Sequence, residues 1–392
     1  MEEKLGINVV DKANGILEEL SRLMGLVQEL MSDEEFRSYV ESKHIKADEE
    51  AVRRSILDAV LFLRHVLALY RLNNDELDKA EKLINEVTEK HKEIGDYENY
   101  LVNRSWALRV EAIKGSLVGD DLVKKFQQLY EETFNVEHFK LTARYLSAAS
   151  ITLGEYLVSL ALTGNYEMIN ELLEKHLWVL NAYKEASVLT RLMLNALLSP
   201  RVGLSSELKG KLSVNPEELI DAFGSDMYRE FLPALRVALR IDMLEVGIKL
   251  CEEFNDIFCM DLVFAVKGNS VVVKQLREAV INAFNVFNNS LKGFGFDVES
   301  LINEFRGLVS ELDGRSLVQL IAPSNSLARL ALMLRALIDG NKELAKAHAL
   351  IGAVSVSGKL STRLFLEVYK ECCDLKNESF RHAIARLFFY HV

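Results

Sequence analysis

Proline is scarce in this chain. There are 4 in 392 residues, about a fifth of the roughly 5% found in ordinary proteins. Proline ends or kinks a helix, so its scarcity predicts long helices with few enforced stops. Cysteine is as rare, at 4 residues with no CxxC pair, which excludes a disulfide scaffold and offers no spacing for a structural zinc site. Cys251, Cys259, Cys372 and Cys373 therefore read as reduced core thiols.

Catalytic motifs are missing as well. There is no GxxxxGK[ST], no GxGxxG, no HExxH and no GxSxG, which removes the usual signatures of nucleotide, zinc-protease and α/β-hydrolase chemistry. Gly293-Phe-Gly295 lacks a third glycine and a preceding strand. A carboxylate-bridged metal site in a bundle needs Glu-x-x-His on two helices, and Glu41–His44 is a single such pair beside Lys43 and Lys46. The reading is of a non-enzyme, with no catalytic residue, cofactor or metal ligand assigned. Arg104 and Arg109 with Glu111, or Arg144 with Glu155, are polar groups able to form either a deep site or core ion pairs.

The opening MEEKLGINVVDKANG carries acids and no apolar core, unlike a secretory or transit segment, and the expected location is cytoplasmic. Tyr145 to Thr163 approaches membrane length, but Glu155 and its hydroxyl residues favour a helix buried in a protein interior.

The net charge is −11, distributed as −9 over residues 1–100 and +3 over residues 301–392. An acidic chain is a poor general ligand for phosphate backbones, which need clustered Lys and Arg. The carboxy-terminal quarter escapes that objection. Its Lys359, Arg363, Lys370, Lys376, Arg381 and Arg386, with Phe380, Phe388, Phe389, Tyr390 and His391, form the candidate surface for an alternative reading as a nucleic-acid-associated protein.

Nearly the whole chain shows helical periodicity, so the fold class is all-α: about twenty helices in antiparallel hairpins, stacked as an irregular superhelix or two bundles. Ile16, Leu17, Leu20, Leu23, Met24, Val27 and Leu30 recur at three and four in a first helix over 7–31, a stripe also suited to self-association. Ser32-Asp-Glu-Glu35 is a capping box for a short helix to His44, and Asp48 caps a third over 49–72. The middle of that third helix is apolar except at Asp58, Arg64 and His65, where a hydrogen-bonded histidine is the expected outcome. Further helices follow over 77–94, 97–117, 120–135, 138–163, 166–181 and 183–199, joined by short links. Ser199 to Asn215, with Pro200, Gly203, Gly210 and four serines, predicts a linker or surface loop at 200–215 between domains 1–199 and 216–392. Later helices are expected over 216–224, 226–241, 243–256, 258–267, 271–290, 297–312, 315–322, 325–339, 342–355, 359–375 and 378–390. Pro233 should kink or divide the helix over 226–241.

Thr163-Gly164-Asn165-Tyr166, followed by Ile169, Leu173 and Leu177, repeats a turn-and-helix pattern found at Asn74–Val87, Asp242–Phe254 and Gly340–Ala349. This resembles the turn and second helix of a tetratricopeptide repeat. The family's small residue in that helix corresponds to Ala80, Gly247 and Ala345, while Ile169 departs from it. Spacings of 89, 78 and 98 residues between these positions depart from the family period of about 34, and its turn proline is missing. The resemblance implies stacked antiparallel helix pairs and a concave docking surface, and no functional residues transfer.

The functional expectation is a non-catalytic protein-binding or scaffolding module that docks a peptide or helix. Glu76, Asp78, Glu86, Glu89 and Glu93 are the candidate acidic partner surface, able to steer a basic partner. No membrane partner is expected. A helical receptor or enzyme with a small-ligand pocket is the third reading.

Overall fold

A computed structural model describes residues 9–32, 34, 49–135, 137, 139–199, 205–253, 257–287, 291, 293–355 and 358–392. The capping box at Ser32–Glu35, the helix expected to end at His44, and Glu41–His44 itself lie wholly or partly outside the described residues. The protein is all-α. Among the described residues, extended pairing is limited to one antiparallel bridge between Met227 and Pro323.

Two compact units divide the chain, Met1–Ala107 and Leu108–Val392. The first holds α1 (Val9–Ser32), α2 (Glu49–Asn73), α3 (Leu77–Glu93) and the start of α4 (Tyr97–Lys114). The turn between α2 and α3 is closed by Asp75 in the left-handed region and by an Arg71 to Glu76 hydrogen bond of 2.5 Å. Ala80, Ile84 and Val87 are buried, as a single 3.6-residue stripe requires. His65 Nδ1 and Asn103 Oδ1 lie 2.7 Å apart, the hydrogen-bonded role expected for that histidine.

In the second unit α5 (Gly119–Thr133), α6 (Ala143–Thr163), α7 (Tyr166–Leu180) and α8 (Lys184–Leu198) pack as consecutive hairpins, with α6 against both α7 and α8. α6 is long and apolar enough to cross a bilayer, and 72% of its apolar window is buried inside the protein. Gly154 permits this: a Cβ there would collide with Thr190 Oγ1 of α8.

The expected boundary at 200–215 falls inside this second unit. Its described part forms α9 (Ser206–Leu212), with Leu208, Leu212 and Val214 buried. Arg191 donates to the Ser213 carbonyl at 2.8 Å and Arg335 to that of Val214 at 2.9 Å. Leucines at four-residue spacing hold a segment that glycine and serine counts alone read as a linker.

The remaining helices are α10 (Pro216–Phe223), α11 (Leu232–Leu239), α12 (Leu244–Glu253), α13 (Ile257–Val266), α14 (Ser270–Phe287), α15 (Val298–Glu311), α16 (Gly314–Ile321), α17 (Ser326–Ile338), α18 (Lys342–Ser355), α19 (Lys359–Glu371) and α20 (Glu378–His391). Pro233 does not interrupt a helix, because it occupies the first turn of α11, preceded by single 3-10 turns. Proline is favourable there, where its missing N–H would have no helical acceptor. The α11–α12 and α17–α18 hairpins pack closely. Gly247 faces Val237 and the Pro233 carbonyl, and Ala345 is fully buried.

Cys251 and Cys259 are not free thiols: they join α12 to α13 with Cα atoms 5.5 Å apart. A sequence separation of 8 residues, without a CxxC spacing, hid that proximity.

Arginines from one helix repeatedly meet the carbonyl end of another. Arg381 of α20 donates to Ala161 O at the end of α6 at 2.8 Å. Arg315 reaches Ala238 O at the end of α11, and Arg277 reaches Val309 O and Leu312 O at the end of α15. Arg329 reaches Leu320 O and Pro323 O beyond α16. Arg109 binds both the Glu155 carboxylate, at the centre of α6, and the Val392 carbonyl. The last four carbonyls of any helix lack partners within it, and guanidinium donors satisfy them while complementing the helix dipole.

Arg109 and Glu155 are both buried. Removing one partner leaves a buried charge, so Arg109→Met should cost about 3–5 kcal/mol in urea denaturation. The double variant Arg109→Met/Glu155→Leu should recover most of that loss. Losses of Arg109→Met and Glu155→Leu that simply add in the double variant would show that the pair contributes no coupling.

Candidate functional site

The acidic residues expected to form a partner surface lie on or beside α3. Asp78, Glu86, Glu89 and Glu93 are exposed, and Glu86, Glu89 and Glu93 follow the three- and four-residue spacing that brings them to one face. Glu76 is pulled inward onto Arg71 and Lys79, whose hydrogen bonds hold its carboxyl below the usual range. Glu93 pairs with Lys90 at 2.6 Å. The acidic face is therefore centred on Glu86 and Glu89.

The basic carboxy-terminal group fares differently. Arg381 is 1% exposed and belongs to the interior, because Ala161 O needs a donor. Arg363 and Arg386 both turn to Glu367, at 2.6 and 3.0 Å. Lys359, Lys370 and Lys376 remain exposed. Phe380, Phe388 and Phe389 are buried, with Phe389 stacked on Phe126 at a centroid distance of 5.3 Å. The aromatic and cationic residues thus do not form one external patch. Helical spacing of hydrophobics shows which face of α20 is inside, but not which distant helix end an arginine on that face caps.

The polar pairs suggested by sequence also recombine. Arg109 takes Glu155, and Lys125 takes Glu111 at 2.5 Å. Among the described residues no three His, Cys, Asp or Glu side chains converge as metal ligands.

Two features were not legible as sites. The first is α13, IFCMDLVFAV, which is apolar except at Asp261, a residue on its exposed side. A helix of that kind is normally enclosed. Here Ile257 is 80% exposed, Phe258 48% and Phe264 38%. Phe258 meets Phe231 edge-on at 5.6 Å, and Phe231 in turn meets the exposed Tyr228 at 6.1 Å. Burial on the other side is anchored by Cys259, Leu262, Val263 and Val266. In the amino-terminal unit, Ile16, Leu23 and Leu26 of α1 and Phe62 and Val66 of α2 are also exposed.

The second feature is a cleft of about 710 Å³ where the end of α4, the start of α5, the end of α6 and the start of α20 meet. Gly115 and Gly119 turn the chain at its edge with φ of +76° and +58°, a conformation that costs a residue with a Cβ. Leu117, Leu122, Leu162 and Phe389 form apolar wall. Glu378, His382 and Arg386 line it from successive turns of α20, and Asp120 lines it from α5.

Two further imidazoles, His348 buried and His391 half-buried, stand outside the cleft. Arg329 Nη1 lies 3.5 Å from His348 Nδ1, and burial, reinforced by that guanidinium, pushes the His348 pKa well below its ordinary value. Burial beside Phe365 and Tyr390 pushes His391 down to about 3.

No protein family matches the chain, and no curated protein or solved structure shows significant similarity to it.

Both imidazoles are neutral in the folded protein at pH values where the unfolded chain, with histidine near 6.5, already takes up protons. Stability should therefore fall as pH drops below about 6.5, through His391 down to about 3 and through His348 in the same direction. Guanidinium titrations of His391→Phe should show a shallower slope in that window and the native slope above it. An unchanged slope would mean that His391 protonates without cost in the folded state.

Proposed function

We propose that this protein is a non-catalytic helical scaffold that binds a partner protein through the exposed apolar face of α13, the partner presenting an apolar helix or peptide. The observation that carries the reading is the exposure of Ile257, Phe258 and Phe264 on a helix with one charged residue in ten. Leaving large apolar side chains in water forgoes about 1.5–3 kcal/mol of burial each. Clustered aromatic and aliphatic groups of this kind are the usual anchors of an interface. Tyr228 and Phe231 extend the same surface with aromatic contact area.

The hairpin pairs support the finer reading of a tetratricopeptide-like array. Small residues stand where paired helices approach, Gly247 against Val237 and buried Ala345 in α18. Stacked hairpins build binding surfaces without catalytic groups. Within the amino-terminal unit the acidic face of α3 steers a basic partner, an effect on association rate more than on final affinity.

A photo-crosslinking residue in place of Ile257 should trap a partner that the same residue in place of Lys359 does not. The trapped protein, purified and titrated against the full chain, should lose at least about tenfold in affinity to Ile257→Glu/Phe258→Glu, given anchor contributions of about 2 kcal/mol or more. Glu86→Lys/Glu89→Lys should instead slow association several-fold at low salt. Equal trapping from both positions, or unchanged affinity in the double variant, would refute the assignment of α13.

A further inference from the structure

We infer that the cleft at the start of α20 is a binding site for a small organic monoanion with an apolar body, a carboxylate on a hydrocarbon or aryl frame. Its volume of about 710 Å³ falls within the range of small-molecule sites, roughly 300–1,000 Å³. The lining has the two-part character such a ligand needs. Leu117, Leu122, Leu162 and Phe389 supply apolar wall, and His382 and Arg386, one helical turn apart, supply donors.

Arg386 decides the sign of the ligand. Its ion pair runs from Nη2 to Glu367 Oε2 at 3.0 Å, but Arg363 already engages that carboxylate at 2.6 Å. Two guanidiniums thus share one carboxylate; Arg386 Nε is enclosed, and the exposed part of the side chain faces the cleft. A guanidinium has five N–H donors in a planar fork, so Arg386 keeps donor capacity that the protein does not use. Its side chain is two-thirds buried, at 32% exposure, and there a charge-assisted hydrogen bond is less weakened by water than at the surface.

The acids around the cleft set the charge limit. Glu378 stands 3.6 Å from His382 and is 81% exposed, and Asp120 is exposed on the first turn of α5. Solvent screens both, so they do not cancel Arg386. A ligand bearing a second negative charge would still meet them at the mouth, which favours a monoanion over a phosphate or dicarboxylate. The proposal is independent of the apolar face of α13, which is built from other residues.

Decanoate is the probe, titrated calorimetrically into the full chain, with displacement of anilinonaphthalene sulfonate fluorescence as a second readout. One molecule should bind per chain, and decan-1-ol and decylammonium should bind at least about tenfold more weakly, the worth of one charge-assisted contact. Arg386→Gln should weaken decanoate by a similar factor. Because Arg386 also holds Glu367, Val118→Glu provides a second variant: Val118 is exposed at the rim, and an acid there should weaken decanoate several-fold while the thermal melt stays unchanged. Ile257→Glu/Phe258→Glu should leave decanoate binding intact. The proposal is overturned if decanoate does not bind at millimolar concentration, if the alcohol or ammonium binds equally well, if Val118→Glu leaves affinity unchanged, or if the α13 variant abolishes binding.

Discussion

The carboxy-terminal unit depends on one recurring interaction, an arginine of one helix donating to the carbonyl end of another. Each α-helix leaves its last four carbonyls without partners, and in a protein built almost wholly of helices that debt recurs at every link. Glycine in the left-handed conformation settles it after α6 at Gly164 and after α17 at Gly340. Elsewhere Arg381, Arg315, Arg277 and Arg329 supply donors across helix boundaries. An arginine suits this role because it stays charged and presents several donors in one plane. The same contacts fix which helices are neighbours, since a guanidinium can reach an orphan carbonyl only if the two elements are correctly placed.

This arrangement explains which parts of the structure could be read from sequence. Helix positions were legible because burial follows a 3.6-residue period: Ala80, Ile84 and Val87, or Leu360, Leu364 and Val368, declare their inner face directly. The short α9 was not legible, because two leucines carry it and its anchors, Arg191 and Arg335, lie elsewhere in the chain. Pro233 reads from sequence as kinking or dividing a helix over 226–241, and it stands in the first turn of α11, where a helix accommodates proline better than in its interior. Charge was the least transferable signal. Arg381 shares the buried stripe of Ile384, Ala385 and Phe388, but its partner, the Ala161 carbonyl, lies 220 residues away and cannot be read from that stripe.

The candidate sites differ in legibility for the same reason. The acids of α3 could be placed on an exposed face by spacing alone, and all but Glu76 remain exposed. The apolarity of α13 was visible, but periodicity cannot tell whether such a helix is enclosed, and its exposed side appears only once α11, α12, α14 and α16 have taken their places. The cleft beside α20 draws on residues from 112 to 389. No window of sequence contains it. Its glycines at 115 and 119 are the single local trace, and they mark a turn rather than a ligand.

The arginine contacts also govern the order in which the chain can mature. Arg381 and Ala161 are separated by 220 residues, and Arg109 and Val392 by 283. All-helical proteins commonly fold fast because their contacts are local. Here the carbonyl end of α6 waits for a side chain made 220 residues later. During synthesis at about 5–20 residues per second, α6 emerges many seconds before the residue that completes its carbonyl end. Until then Glu155 has its own partner nearby, but the end of its helix is hydrated. The Arg381 contact is therefore a late, long-range one, although the helices it joins are of the fast-forming kind.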